Sequence, residues 1–264
     1  MAKSRRAALA TAVALVLLLA ATARAELVER GDLFVAFKGG LEPAALPRES
    51  LAPIGVSVSG TVRTLSGERP PALRRIVIEL NRGGVLDARG LPRCRREQIE
   101  AAPSSGALSE CRDALVGRGV YLANTAFPEQ GAFPSAGRIL AFNAVIDGHP
   151  AILAHIYGEK PVPITRIVTF DIHRRSGTYG TVLSGELPVS VNRYGYVKRI
   201  SLSLFRRYRY RGEWRSYLSA ACPAPSGFAG AVFAFARASM GFADGRTLSS
   251  TLTRSCRVRQ PNRR

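Results

Sequence analysis

The feature that most restricts how this chain can fold is a series of short apolar runs, each closed by Gly, Pro, Asn or Asp, that begins at Leu33 and continues to Cys256. The clearest case lies between Arg138 and Tyr157, where Asp147-Gly148 separates Ile139-Leu140-Ala141-Phe142 from Ile152-Leu153-Ala154. Asp-Gly tolerates the positive φ angles that a two-residue hairpin turn needs, so this segment predicts a hairpin. Leu33 to Phe37, closed by Gly39-Gly40, and the alternating run Gly55 to Val62 read as strands, while Pro43, Pro47 and Pro53 predict an extended loop between them. Arg75 to Leu80 followed by Asn81-Arg82-Gly83-Gly84 and Val85 to Leu91 predicts a second hairpin, ending before Cys94. Further strands are expected at Thr165 to Ile172, Gly180 to Leu187, Lys198 to Tyr210, Trp214 to Ala221, Phe228 to Ala236 and Thr247 to Cys256. Strands this short and regular, with little helix, predict a mainly β fold: an antiparallel β-sandwich, with a barrel as its neighbour among such folds. We expect one domain over residues 26–257 and a basic C-terminal tail over 258–264.

A small helical insertion is predicted between the first two cysteines, as Arg96 to Ala102, stopped by Pro103, and Ala107 to Val116, ended by Gly117. Leu108, Cys111 and Leu115 then share one face, which a bridge from Cys111 to Cys94 would pin to the sheet. Cys94, Cys111, Cys222 and Cys256 allow three pairings. Proximity favours Cys94 with Cys111 and Cys222 with Cys256; the competing zinc site lacks a Cys-x-x-Cys or a nearby Cys/His cluster.

Disulfides require an oxidising compartment, and the N-terminus predicts export to one. Lys3, Arg5 and Arg6 precede an apolar stretch from Ala7 to Ala21 and the small-x-small site Ala23-Arg24-Ala25, the order of a signal peptide cleaved after Ala25. The stretch falls short of the roughly 20 residues of a membrane-spanning helix, so a retained anchor is the weaker reading. The Arg5-Arg6 pair lacks a strongly apolar follower, which favours the general secretory route. With the first cysteine at Cys94, no lipid anchor is expected at the mature N-terminus, and no later segment suits a membrane span. The product is expected to be secreted or wall-associated.

The chain carries a formal charge of +19, of which four leader cations account for part, leaving +15. Only four of its 38 basic residues are lysine, a bias that GC-rich codons also produce. The densest basic segment runs from Arg193 to Tyr217. On a strand Arg207, Arg209 and Arg211 share one face, with Tyr208 and Tyr210 on the other. With Arg206 and Arg215 they form a candidate anion-binding face for phosphates or carboxylates, set against the plainer reading of a solvated face over a tyrosine-rich core. The C-terminal Arg254, Arg257, Arg259, Arg263 and Arg264 add non-specific attraction to anionic surfaces at low salt, and no specific nucleic-acid partner is expected. His149, His155 and His173 read as scattered histidines, and neither a metal nor a cofactor is expected. The sequence has no Gly-x-Ser-x-Gly, Walker, His-Glu-x-x-His or Ser-x-x-Lys signature. Glu79, Asp147, Glu159, Asp171 and Glu186 remain candidates for a carboxylate pair of the glycosidase kind.

Leu73 to Leu80 running through a glycine turn to Cys94, and Val197 to Leu204 running through Gly212 to Cys222, form an internal echo of strand, turn, strand and cysteine. Equivalent halves of a fold and accidental similarity explain it equally well. Gly90-Leu91-Pro92-Arg93-Cys94, Cys111-Arg112-Asp113-Ala114-Leu115-Val116-Gly117, Tyr208-x-Tyr210-Arg211-Gly212 and Ser216-Tyr217-Leu218-Ser219-Ala220-x-Cys222-Pro223 resemble an uncharacterised family of secreted four-cysteine proteins of GC-rich Gram-positive bacteria. The resemblance implies that cysteines and turns belong to one repeated architecture, and it brings no activity with it. The expectation is an exported, non-enzymatic protein that associates with anionic envelope polymers; the alternative is an extracellular hydrolase with a carboxylate-based site.

Overall fold

A computed structural model of the chain describes residues 25–125, 129–188 and 195–259. The leader up to Arg24, the residues Arg193 and Tyr194, and the tail arginines Arg263 and Arg264 lie outside the described residues. The strands in chain order are β1 (Glu26–Arg30), β2 (Leu33–Glu42), β3 (Ala45–Leu46), β4 (Ala52–Pro53), β5 (Gly55–Thr64), β6 (Leu73–Asn81), β7 (Gly84–Leu86), β8 (Leu115–Thr125), β9 (Phe133–Ile146), β10 (His149–Gly158), β11 (Ile164–Arg174), β12 (Tyr179–Glu186), β13 (Gly195–Leu204), β14 (Arg207–Tyr210), β15 (Glu213–Ser216), β16 (Leu218–Ala220), β17 (Gly230–Phe242) and β18 (Thr247–Val258). The single α-helix among the described residues, α1, spans Ser104–Cys111.

The fold is mainly β, as the turn-punctuated pattern requires. Thirteen strands form one sheet in the order β1-β2-β5-β13-β8-β9-β10-β11-β12-β6-β17-β18-β3, antiparallel except where β3 joins β18. The hairpin at Asp147-Gly148 is present, with φ of 50° and 82° at its two turn residues and His149 opposite Ile146. The expected sandwich is not confirmed, because the ladders define one large curled sheet rather than two. The ends of the curl meet: Arg254 of β18 donates to Glu26 Oε1 of β1 at 3.0 Å and to the Gly39 carbonyl of β2, and Arg246 reaches Asp32 at 2.7 Å. Inside, the sheet packs on itself on one side only. Gly60 of β5 faces Met240 of β17, and Gly39 faces Leu252 of β18, so closely that a Cβ at either glycine would press on its neighbour.

One end of the curl is plugged by a small sheet, β4-β16-β7, around the fully buried Tyr217. Asp87 N–H donates to the Tyr217 carbonyl and Tyr217 N–H to that of Arg206. Burial pushes the Tyr217 hydroxyl far up from its ordinary pKa. This plug corrects the expected hairpin at residues 75–91: β7 leaves β6 after Gly83-Gly84 and pairs with β16, Leu86 opposite Leu218. The strands expected at Lys198 to Tyr210 and Trp214 to Ala221 are likewise each divided, with Phe205-Arg206 between β13 and β14 and Tyr217 between β15 and β16.

The internal echo has a counterpart in the topology. β6 pairs with β12, which ends the run β8 to β12, and then with β17. β13 pairs with β5, which ends the run β17, β18, β1, β2, β5 around the seam, and then with β8. The plug strands β7 and β16 that follow β6 and β13 meet each other.

The helical insertion is present but shorter than expected. Only Arg96–Gln98 and Arg112–Ala114 form 3-10 turns beside α1, and Leu115 already begins β8, so it shares no helical face with Cys111. The insertion covers the outer face of β9 and β10, burying Ile99, Ala107 and Ala114 against Leu140, Phe142 and Leu153. His155, fully buried there, lies 2.9 Å by Nε2 from the Ala102 carbonyl, which also accepts from Thr165. The bridges are Cys94–Cys111 and Cys222–Cys256, the pairing that proximity favours, with no free cysteine among the described residues. The first ties the segment after β7 to the end of α1, and the second ties the segment after β16 to β18 of the main sheet. Closing loops of 17 and 34 residues, the bridges should contribute about 3 and about 4 kcal/mol through the chain entropy of the unfolded state. Urea unfolding of Cys94→Ser/Cys111→Ser and Cys222→Ser/Cys256→Ser variants measures both, and unchanged midpoints would contradict this account of their role.

Candidate functional site

Along each strand of the main sheet alternate residues face the interior, so the interior is built from every second position. Where Gly60 meets Met240 these positions are in contact. On the opposite side, β8 to β11 with β13 and β6, they are not. Ile139, Ala154, Ile156, Val168, Phe170 and Leu202 there surround a cavity of about 450 Å³. This lies within the roughly 300–1,000 Å³ common for small-ligand pockets. Ala123 and Ala154 present only methyl groups on inner positions, and the cross-strand pair Gly137 and Gly158 seats the Tyr121 ring, which a Cβ at either glycine would strike.

The cavity opens at the end of the curl away from the plug, where β8 ends, β13 begins and the β10–β11 connection carries Lys160, Pro161 and Val162. Val162 is 61 % exposed on this rim. Polar groups are few. Asn124 Nδ2 donates to Tyr196 Oη at 2.8 Å, and Ser135 Oγ to the Lys160 carbonyl at 3.0 Å. Burial raises the Tyr121 pKa, against the effect of a hydrogen bond with Ser135. Arg166, on the same face of β11 as Val168 and Phe170, also lines the cavity. Its Nη1 donates to the Thr165 carbonyl at 3.0 Å, while its Nε is buried with no hydrogen-bond partner. No Asp or Glu is among the described residues that line the cavity.

The basic segment lies elsewhere, on the hairpin β14–β15 beside the plug. Arg207 and Arg209 are exposed on one face, and Tyr208 is buried on the other with its hydroxyl donating to the Arg89 carbonyl at 2.9 Å. Arg211 departs from the expected strand face: with φ of 52° it occupies the hairpin turn before Gly212. The rings are engaged by the arginines themselves, Arg209 over Trp214 at 5.2 Å and Arg211 over Tyr210 at 5.3 Å. Arg215 pairs with Asp87 at 3.3 Å, Arg206 reaches the Asp113 carbonyl, and both are half-buried parts of the local structure. Hydrogen bonding from Arg89 holds the Asp87 carboxyl below the usual carboxylate range.

The candidate carboxylates are spread over the sheet. Glu79, buried on the outer face of β6, pairs with Arg237 and Arg175, and Glu186 pairs with exposed Arg75. Glu186 lies opposite Arg75, four residues along β6 from Glu79, a backbone separation of roughly 13 Å. Asp147 occupies the β9–β10 turn, Asp171 lies opposite Ala151 and Glu159 follows β10. His149 and His173 are exposed, His155 is buried beneath the insertion, and no metal-binding group of His, Cys, Asp and Glu occurs among the described residues. The cavity was missed by sequence reasoning. Its available signal was the recurrence of Ala and Gly at inner positions of adjacent strands, Ala123, Gly137, Ala154 and Gly158.

Burial beneath the insertion lowers the His155 pKa. The unfolded chain therefore takes up this proton as pH falls through about 6.5, while the folded chain resists until lower pH, so stability is lost below that point. The urea midpoint should fall between pH 7.5 and 5.5 in the parent more steeply than in His155→Gln; parallel profiles would refute this assignment.

No family model, curated protein or solved structure matches this chain.

Proposed function

We propose that this chain is an exported, non-enzymatic binding protein that holds one small apolar ligand inside its curled sheet. The cavity carries the reading: an unfilled apolar interior open at one end, in a sheet whose other side and other end are closely packed. We read the fold as a flattened barrel, sandwich-like where Gly60 meets Met240 and open where Ala154 faces inward; the mouths of such barrels are a common place for ligands. The exterior supports a protein that works in water. Outward positions on β5, β8 and β13 mix Ser57, Arg118, Ser201 and Ser203 with exposed Val120 and Leu122, in contrast to the continuous apolar outer band of a barrel embedded in lipid. No helix among the described residues is long and apolar enough to cross a membrane. Two disulfides support an oxidising compartment, in line with a leader over residues 1–25.

A second reading rests on a different observation. Arg207, Arg209 and Arg211 are exposed, and none forms a carboxylate pair among the described residues. They would hold the protein to anionic envelope polymers, separately from any cavity ligand. An Arg207→Ser/Arg209→Ser/Arg211→Ser variant should then elute from an anionic resin at distinctly lower salt than the parent, and coincident elution would reject this role.

For the cavity, titration with an apolar fluorescent dye should give one site per chain. Ala154→Phe, which fills the cavity, should weaken dye binding at least tenfold while leaving thermal stability equal or higher. Absence of stoichiometric binding, or equal binding by the variant, would contradict the proposal.

A further inference from the structure

The geometry points to a single-chain amphiphile with an anionic headgroup as the ligand, its carboxylate or phosphate held by Arg166 and its alkyl chain lying among Ile139, Ile156 and Val168. The inference rests on the cavity reading above and names the class of molecule that the cavity takes.

Arg166 is the argument. It lies opposite Ile156 on the neighbouring strand and shares its face of β11 with Val168 and Phe170, so an always-charged group stands beside apolar neighbours on the cavity wall. A guanidinium carries five N–H donors. The donation to the Thr165 carbonyl uses one, and the buried Nε–H has no partner. Ion pairs are formed elsewhere by Arg75, Arg89, Arg175, Arg215, Arg237, Arg246 and Arg254, but by no carboxylate with Arg166 among the described residues. Arg166 is half-buried, and leaving its buried Nε–H without a partner is unfavourable. A planar oxyanion satisfies the guanidinium fork through two parallel hydrogen bonds, a match that a hydroxyl headgroup lacks.

The surroundings agree with this. Lys160 on the rim supplies a second cation, and no carboxylate lines the cavity among the described residues to repel an anion. The remaining wall offers few polar groups, so the rest of the ligand must be apolar. Exposed Val162 and Ile164 on the rim continue the apolar surface out of the mouth, where a chain longer than the cavity would lie. A free fatty acid and a monoalkyl phosphate share this chemistry.

The test is calorimetric titration of the protein with decanoate, decyl phosphate and decanol, each below its aggregation concentration, for the parent, Arg166→Gln, Arg166→Lys and Ala154→Phe, with circular dichroism confirming that each variant is folded. The parent should bind at least one of the two anions at least tenfold more tightly than decanol. Affinity for that anion should rise about fourfold for each methylene added. Arg166→Gln should lose the preference for the anion over decanol, and Arg166→Lys should keep part of it. Decanoate and decyl phosphate then distinguish the two sources by which binds more tightly. Equal affinity for all three heads in the parent would overturn the anionic headgroup and leave the cavity reading standing. An anion preference that survives in Arg166→Gln would overturn the assignment to Arg166. Failure of every head to bind would remove the cavity reading with it.

Discussion

The architecture depends on a sheet that packs against itself on one side and not on the other. At Gly60 and Gly39 the absence of a side chain lets Met240 and Leu252 from the opposite wall fill the interior, so β2 and β5 lie directly over β17 and β18. On the remaining arc the inner Ile139, Ala154, Ile156, Val168 and Phe170 surround a cavity instead of meeting an opposite wall, and the interior stays open. Burial supplies the driving force for the curl as a whole, while the size of a few inward residues decides where it closes.

The two ends of the curl divide the work. At the plugged end, three short strands contributed from before β5, after β6 and before β17 converge on Tyr217, and the Cys222–Cys256 bridge ties that plug to β18. At the open end the strands terminate in turns and connections with little between them, which places Lys160 and Tyr196 at the mouth. The helical insertion stabilises the wall from outside: Ile99 and Ala107 cover Phe142 and Leu153, whose strand neighbours Ala141, Ile152 and Ala154 face inward. One pair of strands thus serves an outer core and the interior.

Much of this was legible in the residues. The Asp147-Gly148 turn, the disulfide pairing by proximity and the run of strands follow from local chemistry, which a single sequence displays directly. The echo between Leu73 to Cys94 and Val197 to Cys222 reads as two hairpins, and neither β6 nor β13 forms one with the strand that follows it. What local chemistry does not carry is pairing at long range. The Asn81 to Gly84 turn reads as a hairpin, yet β7 finds a better neighbour in β16, more than a hundred residues away. The exposed arginines drew attention because charge is visible in sequence; Arg166 did not, because its significance lies in the apolar neighbours brought by β10 and β13. Five scattered carboxylates are equivalent in the sequence, and the fold separates Glu79, paired with Arg175 and Arg237, from Glu186, paired with Arg75.

Methyl-resolved nuclear magnetic resonance on the protein with a decyl chain present tests the central claim most directly. If the curled sheet holds its ligand inside, nuclear Overhauser contacts will run from the alkyl chain to the methyl groups of Ile139, Ile156, Val168 and Ile200, which all line the cavity. Contacts confined to outward Leu65 and Val232, with these inner methyls unaffected, would contradict the account.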